Sequence, residues 1–63
     1  MMQTDFMRGL TKAEQHFELH ESPMVLCLNL NSYKKLGLDS DGKKLTNDYT
    51  DGYASYIETV KDI

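Results

Sequence analysis

Residues 22–37 read SPMVLCLNLNSYKKLG and form the most continuous apolar segment of the chain. Within this segment, Leu26, Leu28 and Leu30 alternate with small or polar residues, which is the two-residue period of a half-buried β-strand. On a helical wheel, Asn29 would fall in the middle of the apolar arc, whereas on a strand its side chain would point outward. The alternation therefore predicts a strand.

The same segment also carries the signals of a helix. Ser22 is a residue type that caps helix N-termini, and Pro23 suits the first helical position. Gly37 is suited to end a helix, because glycine readily adopts the left-handed conformation found there. This alternative predicts an all-α, three-helix domain in which residues 23–36 are helical.

The residues that follow favour the strand. Asp39-Ser40-Asp41-Gly42 is typical of a turn, since aspartate side chains bond nearby backbone N–H groups and glycine accepts positive φ. Leucines flank this turn on both sides, so it resembles the loop of a β-hairpin. We therefore expect a small antiparallel sheet or hairpin over about residues 24–46.

Helical patterns lie on either side of this hairpin. Thr11 and Glu14 fit a capping box, which predicts an N-terminal helix over about residues 11–21. Apolar and tyrosine side chains recur with a 3.6-residue period near the C-terminus, which predicts an amphipathic helix over about residues 50–62. The expected fold is α+β, with helix, hairpin and helix in that order.

Length and composition indicate one small domain over residues 1–63, in which we expect residues 1–9 to be partly frayed. Cys27 is the single cysteine, so an internal disulfide is excluded and a reducing cytoplasm is the expected location. No segment approaches the roughly 20 apolar residues of a membrane-spanning helix. We therefore expect no membrane association.

The formal net charge is −3, and this balance disfavours nucleic acid as a partner. Proteins that bind DNA or RNA usually carry a basic face, because neutralising phosphates supplies much of their affinity. Two lysine pairs, Lys34-Lys35 and Lys43-Lys44, are the residues with which a small dimeric DNA-binding regulator would contact phosphates. That regulator is the alternative function.

Few residues have the spacing of catalytic or metal-binding groups. His16 and His20 stand four residues apart on the first predicted helix, and this spacing can bring two imidazoles to one zinc ion. Phe17 occupies the place where zinc peptidases have a glutamate. We therefore expect two surface histidines, no metal, no cofactor, no catalytic residue and no enzyme activity.

The composition is most typical of a small regulator or inhibitor that binds a larger protein, as accessory proteins of phages and mobile elements do. We expect the contact to lie on the last helix, where acidic and aromatic residues are concentrated. Its candidate residues are Asp48, Asp51, Glu58, Asp62, Tyr49 and Tyr53. Aromatic side chains are enriched at protein–protein contacts, so a homodimer is also expected as a means of covering the tyrosines.

Overall fold

The computed structural model describes residues 4–62, which form three helices and no sheet. The helices are α1 (Asp5–His20), α2 (Pro23–Leu36) and α3 (Asn47–Val60). The predicted α+β fold with a hairpin over 24–46 is therefore wrong. The all-α alternative, with residues 23–36 helical, is the architecture found.

The hairpin prediction fails because the connection between α2 and α3 pairs at only one place. Within the described residues, the β-type pairing consists of one isolated antiparallel bridge between Leu38 and Lys44. The turn between these two residues does have the expected chemistry. Gly42 has a φ of 77°, and the Asp39 carboxylate accepts hydrogen bonds from the backbone N–H groups of Asp41 and Lys43.

Helix α2 begins and ends at the residues that the helical alternative requires. Pro23 occupies its first turn, and Gly37 caps its C-terminus with a φ of 72° while its N–H bonds the carbonyl of Tyr33. Leu26 and Leu30 are four residues apart and are both buried, whereas Leu28 is 59% exposed. The alternating leucines thus belong to two opposite faces of one helix.

Helix α1 starts six residues earlier than the capping box predicts. The hydroxyl of Thr4 accepts a hydrogen bond from the N–H of Met7 and caps the helix, while Asp5 lies in its first turn near the positive end of the helix dipole. Residues 5–9, expected to be frayed, form the first turns of α1. Residues 1–3 lie outside the described part of the chain.

Helices α1 and α3 cross with their backbones in direct contact. A Cβ atom on Gly9 would overlap the carbonyl oxygen of Tyr49, and a Cβ atom on Gly52 would overlap the carbonyl oxygen of Phe6. Each helix therefore needs a glycine where the other passes. This explains why Gly9 and Gly52 lie inside helices, where glycine is otherwise unfavourable.

The core lies between the three helices and is rich in tyrosine. Tyr49 and Tyr53 stack on each other, and Tyr33 of α2 meets both rings edge-on. Helix α3 begins at Asn47, three residues before the predicted start, and Thr46 caps it through the N–H of Tyr49. The buried apolar residues are Ala13, Leu26, Leu30, Tyr49, Tyr53, Ile57 and Val60.

Candidate functional site

The outer side of α3 is an acidic stripe, which we define as Asp48, Asp51, Glu58 and Asp62. All four side chains are exposed, and Asp62 lies just past the C-terminal end of the helix. The stripe lies opposite the buried side of α3, so its carboxylates are presented to solvent from a packed helix. At 1.5 Å per residue, the three helical carboxylates span about 15 Å.

The members of this stripe differ in how they are paired. Glu58 forms an ion pair of 2.6 Å with Lys61. Among residues 4–62, no basic side chain pairs with Asp48 or Asp51. Helix α3 itself contains no basic residue. Asp48 also lies in the first turn of α3, where its charge complements the helix dipole.

The two tyrosines expected to contact a partner lie in the core instead. Tyr49 is 1% exposed and Tyr53 is 0% exposed. Their hydroxyl groups bond within the chain, that of Tyr49 to Ser40 and that of Tyr53 to His16. Their rings therefore stabilise the fold and cannot reach a partner that leaves the fold intact.

A polar cluster of His16, Asn29 and Tyr53 joins the three helices. The Tyr53 hydroxyl lies 2.9 Å from Nδ1 of His16 and 3.3 Å from Nδ2 of Asn29. Because an amide nitrogen can only donate, the Tyr53 oxygen accepts a hydrogen bond from Asn29, while the direction of the bond between Tyr53 and His16 is set by which imidazole nitrogen carries the proton.

The pKa values in this cluster follow from its burial. Desolvation, assisted by the positive charge of Lys12 and by His20, lowers the pKa of His16. Desolvation also raises the pKa of Tyr53 well above its usual value, even though the hydrogen bond from Asn29 opposes the shift. Both shifts favour the neutral forms of the two side chains.

His20 is exposed at the end of α1, while His16 is turned towards Tyr53. The two histidines proposed as candidate zinc ligands therefore lie in different surroundings. Among residues 4–62, the structure brings together no group of three or more His, Cys, Asp or Glu residues suited to hold a metal ion.

A second polar cluster, which the sequence analysis missed, fixes the connection between α2 and α3. The guanidinium group of Arg8 contacts the carboxylates of Asp39 at 2.8 Å, Asp5 at 3.0 Å and Asp41 at 3.3 Å. It also lies over the ring of Tyr49, 5.3 Å from the ring centre. The guanidinium group of Arg8 therefore stabilises the fold through contacts within the chain.

Asp39 is the buried member of this second cluster, with a side chain only 1% exposed. Burial alone would raise the pKa of Asp39, but the two backbone N–H groups and Arg8 outweigh it and hold the pKa below its usual value. The hydrogen bond to Asp39 is in turn the main cause of the raised pKa of Arg8. The pair is therefore ionised in the folded protein.

Comparisons with known proteins do not relate this chain to others. No protein-family model, curated protein or solved structure matches it. Among the described residues, no helix is both long and apolar enough to cross a membrane.

Proposed function

We propose that this chain is a small, non-enzymatic regulator or inhibitor that places the acidic stripe of α3 on a basic surface of a larger protein. The observation that carries the proposal is the exposure of Asp48 and Asp51 on a helix without basic residues, with no basic partner among residues 4–62. Unneutralised carboxylates in a row favour a basic partner.

The way α3 is packed supports this proposal. Its opposite side carries Tyr49, Gly52, Tyr53, Ile57 and Val60, all of them buried. The helix that bears the carboxylates is consequently held firmly, and little backbone order would have to be gained on binding. A rigid row of like charges also attracts an oppositely charged protein over several ångströms, which raises the rate of association at low salt.

The polar groups in the interior of the chain bond to one another. Every buried side-chain nitrogen or oxygen among the described residues has a hydrogen-bond partner within the chain. The titratable groups His16 and Tyr53 bond each other, and Arg8 of α1 pairs with Asp39 in the connection between α2 and α3. These groups are already satisfied by the fold, so the proposal rests on the charges at the surface.

The test is a comparison of two charge reversals of equal size. Asp51→Lys with Glu58→Lys reverses two of the four charges of the stripe, and Glu14→Lys with Glu18→Lys makes the same charge change at exposed positions of α1. Each immobilised variant is incubated with lysate of the native host, and the captured proteins are identified by mass spectrometry. We expect a protein captured by the wild type and the α1 variant but lost with the α3 variant.

Two results would overturn the proposal. One is equal capture by the wild type and both variants, since the stripe would then make no contribution. The other is an electrophoretic shift of duplex DNA at low salt that Lys34→Gln with Lys35→Gln removes. Binding of that kind would identify the lysines as the functional residues and support the DNA-binding alternative.

A further inference from the structure

The side of α2 that faces away from the core is apolar and uncovered. Met24 is 70% exposed and Leu28 is 59% exposed, and Cys27 beside them is also exposed. The buried residues of α2, Leu26 and Leu30, lie on the opposite side of the helix. Two large apolar side chains and a thiol thus form an exposed apolar patch on one helix face, and contiguous patches of this kind are where proteins make contacts.

The spacing along this face is that of a helix that pairs with another helix. Met24, Leu28, Asn31 and Lys35, which we call the α2 seam, follow one another at intervals of four, three and four residues. All four side chains are exposed. This 4-3-4 spacing keeps residues on a single stripe and is the spacing of the contact positions in coiled coils.

The charges at the two ends of the seam are opposite. Lys34 and Lys35 lie in the last turn of α2, which contains no acidic residue, and Glu21 lies in the turn just before the helix. Among residues 4–62, none of these three side chains forms an ion pair. The surface is therefore negative at one end, apolar in the first half of the helix and positive at the other end.

We propose that the α2 seam binds a second copy of this chain, with the two α2 helices antiparallel. Leu28 then meets Leu28 of the second copy, and Met24 lies opposite Ser32, one residue beyond Asn31. Glu21 lies opposite Lys35 at both ends of the contact. A parallel pair would instead place Glu21 against Glu21 and Lys35 against Lys35, which like-charge repulsion opposes.

The position of Cys27 distinguishes the two arrangements. In an antiparallel pair, the two-fold axis lies perpendicular to both helices and leaves both Cys27 side chains on the same side of the contact. Their axial offset is about 3 Å, because each lies one residue from Leu28. In a parallel pair, the two thiols lie on opposite sides. A short bismaleimide can therefore join the thiols of the antiparallel dimer only.

The contact covers one helix face per copy, so we expect a reversible dimer at the low end of the interface size range, below about 1,200 Å². The buried side of α2 contacts α3 through Asn29 and Tyr33. Because the seam is on the other side, dimerisation leaves both acidic stripes accessible. The dimer does not depend on the proposed function, and seam variants test it separately.

The experiment measures sedimentation equilibrium and bismaleimide cross-linking of the full chain over a range of concentrations. Leu28→Glu places a charge in the centre of the seam, and Leu36→Glu is the matched control, since Leu36 is 72% exposed but lies off the seam. We expect dimers for the wild type and Leu36→Glu. Leu28→Glu should weaken self-association by about tenfold or more.

A charge exchange tests the direction of the helices. Lys35→Glu alone and Glu21→Lys alone should each weaken the dimer, and the double variant should restore it, because the opposite charges again face each other between copies. Circular dichroism establishes that each variant is folded. A wild type that remains monomeric, an equal effect of Leu28→Glu and Leu36→Glu, or no rescue by the double variant would overturn the proposal.

Discussion

The hydroxyl group of Tyr53 lies 2.9 Å from Nδ1 of His16, and this contact links α3 to α1 inside the core. Asn29 of α2 completes the link from the third helix. A polar residue in the apolar arc of α2 is thus satisfied where it lies, so its presence does not argue against a helix. The cluster fixes how the three helices are arranged around one another.

Removing the hydroxyl group of Tyr53 should destabilise the protein. Tyr53→Phe leaves His16 and Asn29 without the oxygen they share, and we expect the free energy of unfolding to fall by about 1–3 kcal/mol. Urea denaturation measures the change. Tyr56→Phe is the control, because Tyr56 is only partly buried and its hydroxyl makes no hydrogen bond within residues 4–62. Equal losses for the two variants would contradict the role of the cluster.

Stability should depend on pH through His16. Since the pKa of His16 is lowered by folding from its ordinary value of 6.5, its contribution is complete above about pH 6.5 and is lost as the pH falls through the folded-state pKa. Denaturation midpoints measured at a series of pH values should show this decline. His16→Gln should flatten the profile in this range, whereas the control His20→Gln should keep it. An unchanged profile in His16→Gln would refute the assignment.

The crossing of α1 and α3 should tolerate no side chain. Gly9→Ala and Gly52→Ala each place a Cβ atom against a backbone carbonyl of the other helix. We expect each change to cost about 3 kcal/mol or more, because two backbones must move apart. In Gly42→Ala the new Cβ meets nothing within 4 Å, so only the positive φ of 77° is unfavourable. That control should lose about 1 kcal/mol.

The buried charge of Asp39 should make Arg8 important for stability. Arg8→Gln removes the partner of a buried carboxylate, and we expect a loss of about 2 kcal/mol, moderated by the two backbone hydrogen bonds that remain. Lys12→Gln is the control, since the Lys12–Asp41 pair is longer, at 3.6 Å, and more exposed. This control should lose less than about 1 kcal/mol.

The carboxylate of Asp39 should also make the stability of the protein fall at low pH. The pKa of Asp39 is lowered by folding, so its contribution is present above the ordinary pKa of about 4 and is lost as the pH falls through the lower folded value. The stability of Asp39→Asn should therefore fall less than that of the wild type as the pH is lowered below 4, although Asp39→Asn is less stable at neutral pH. Thermal melts at low pH measure this difference, and a parallel acid response in both proteins would contradict it.

The fold was only partly predictable, because two kinds of local signal are ambiguous in this chain. Leucines two residues apart fit a strand, but in α2 they alternate between the buried and exposed faces of a helix. Whether Asn29 can be buried depends on Tyr53, which is 24 residues away and unknown to a local pattern. The end signals Pro23 and Gly37 did identify the helix correctly, and they depend on backbone conformation alone.

At the start of α1 and in the candidate site, too, local patterns were informative, whereas contacts between distant residues could not be predicted. Thr11 and Glu14 match a capping box but lie inside α1, and residues 5–9, expected to be frayed, are helical and held by the contact of Gly9 with α3. The periodicity of α3 placed its acidic residues on the outer side, where they are exposed. It could not place Arg8 against Asp39, because that pair joins residues 31 positions apart through the fold.

The central claim is that the acidic stripe of α3 binds a basic protein. It is tested most directly by the dissociation constant of the captured partner, purified and titrated with the wild type and both charge-reversed variants at low and high salt. We expect affinity to fall with salt and to fall about tenfold or more when Asp51 and Glu58 are reversed. It should change little when Glu14 and Glu18 are reversed. Equal affinities for the two reversed variants would contradict the claim.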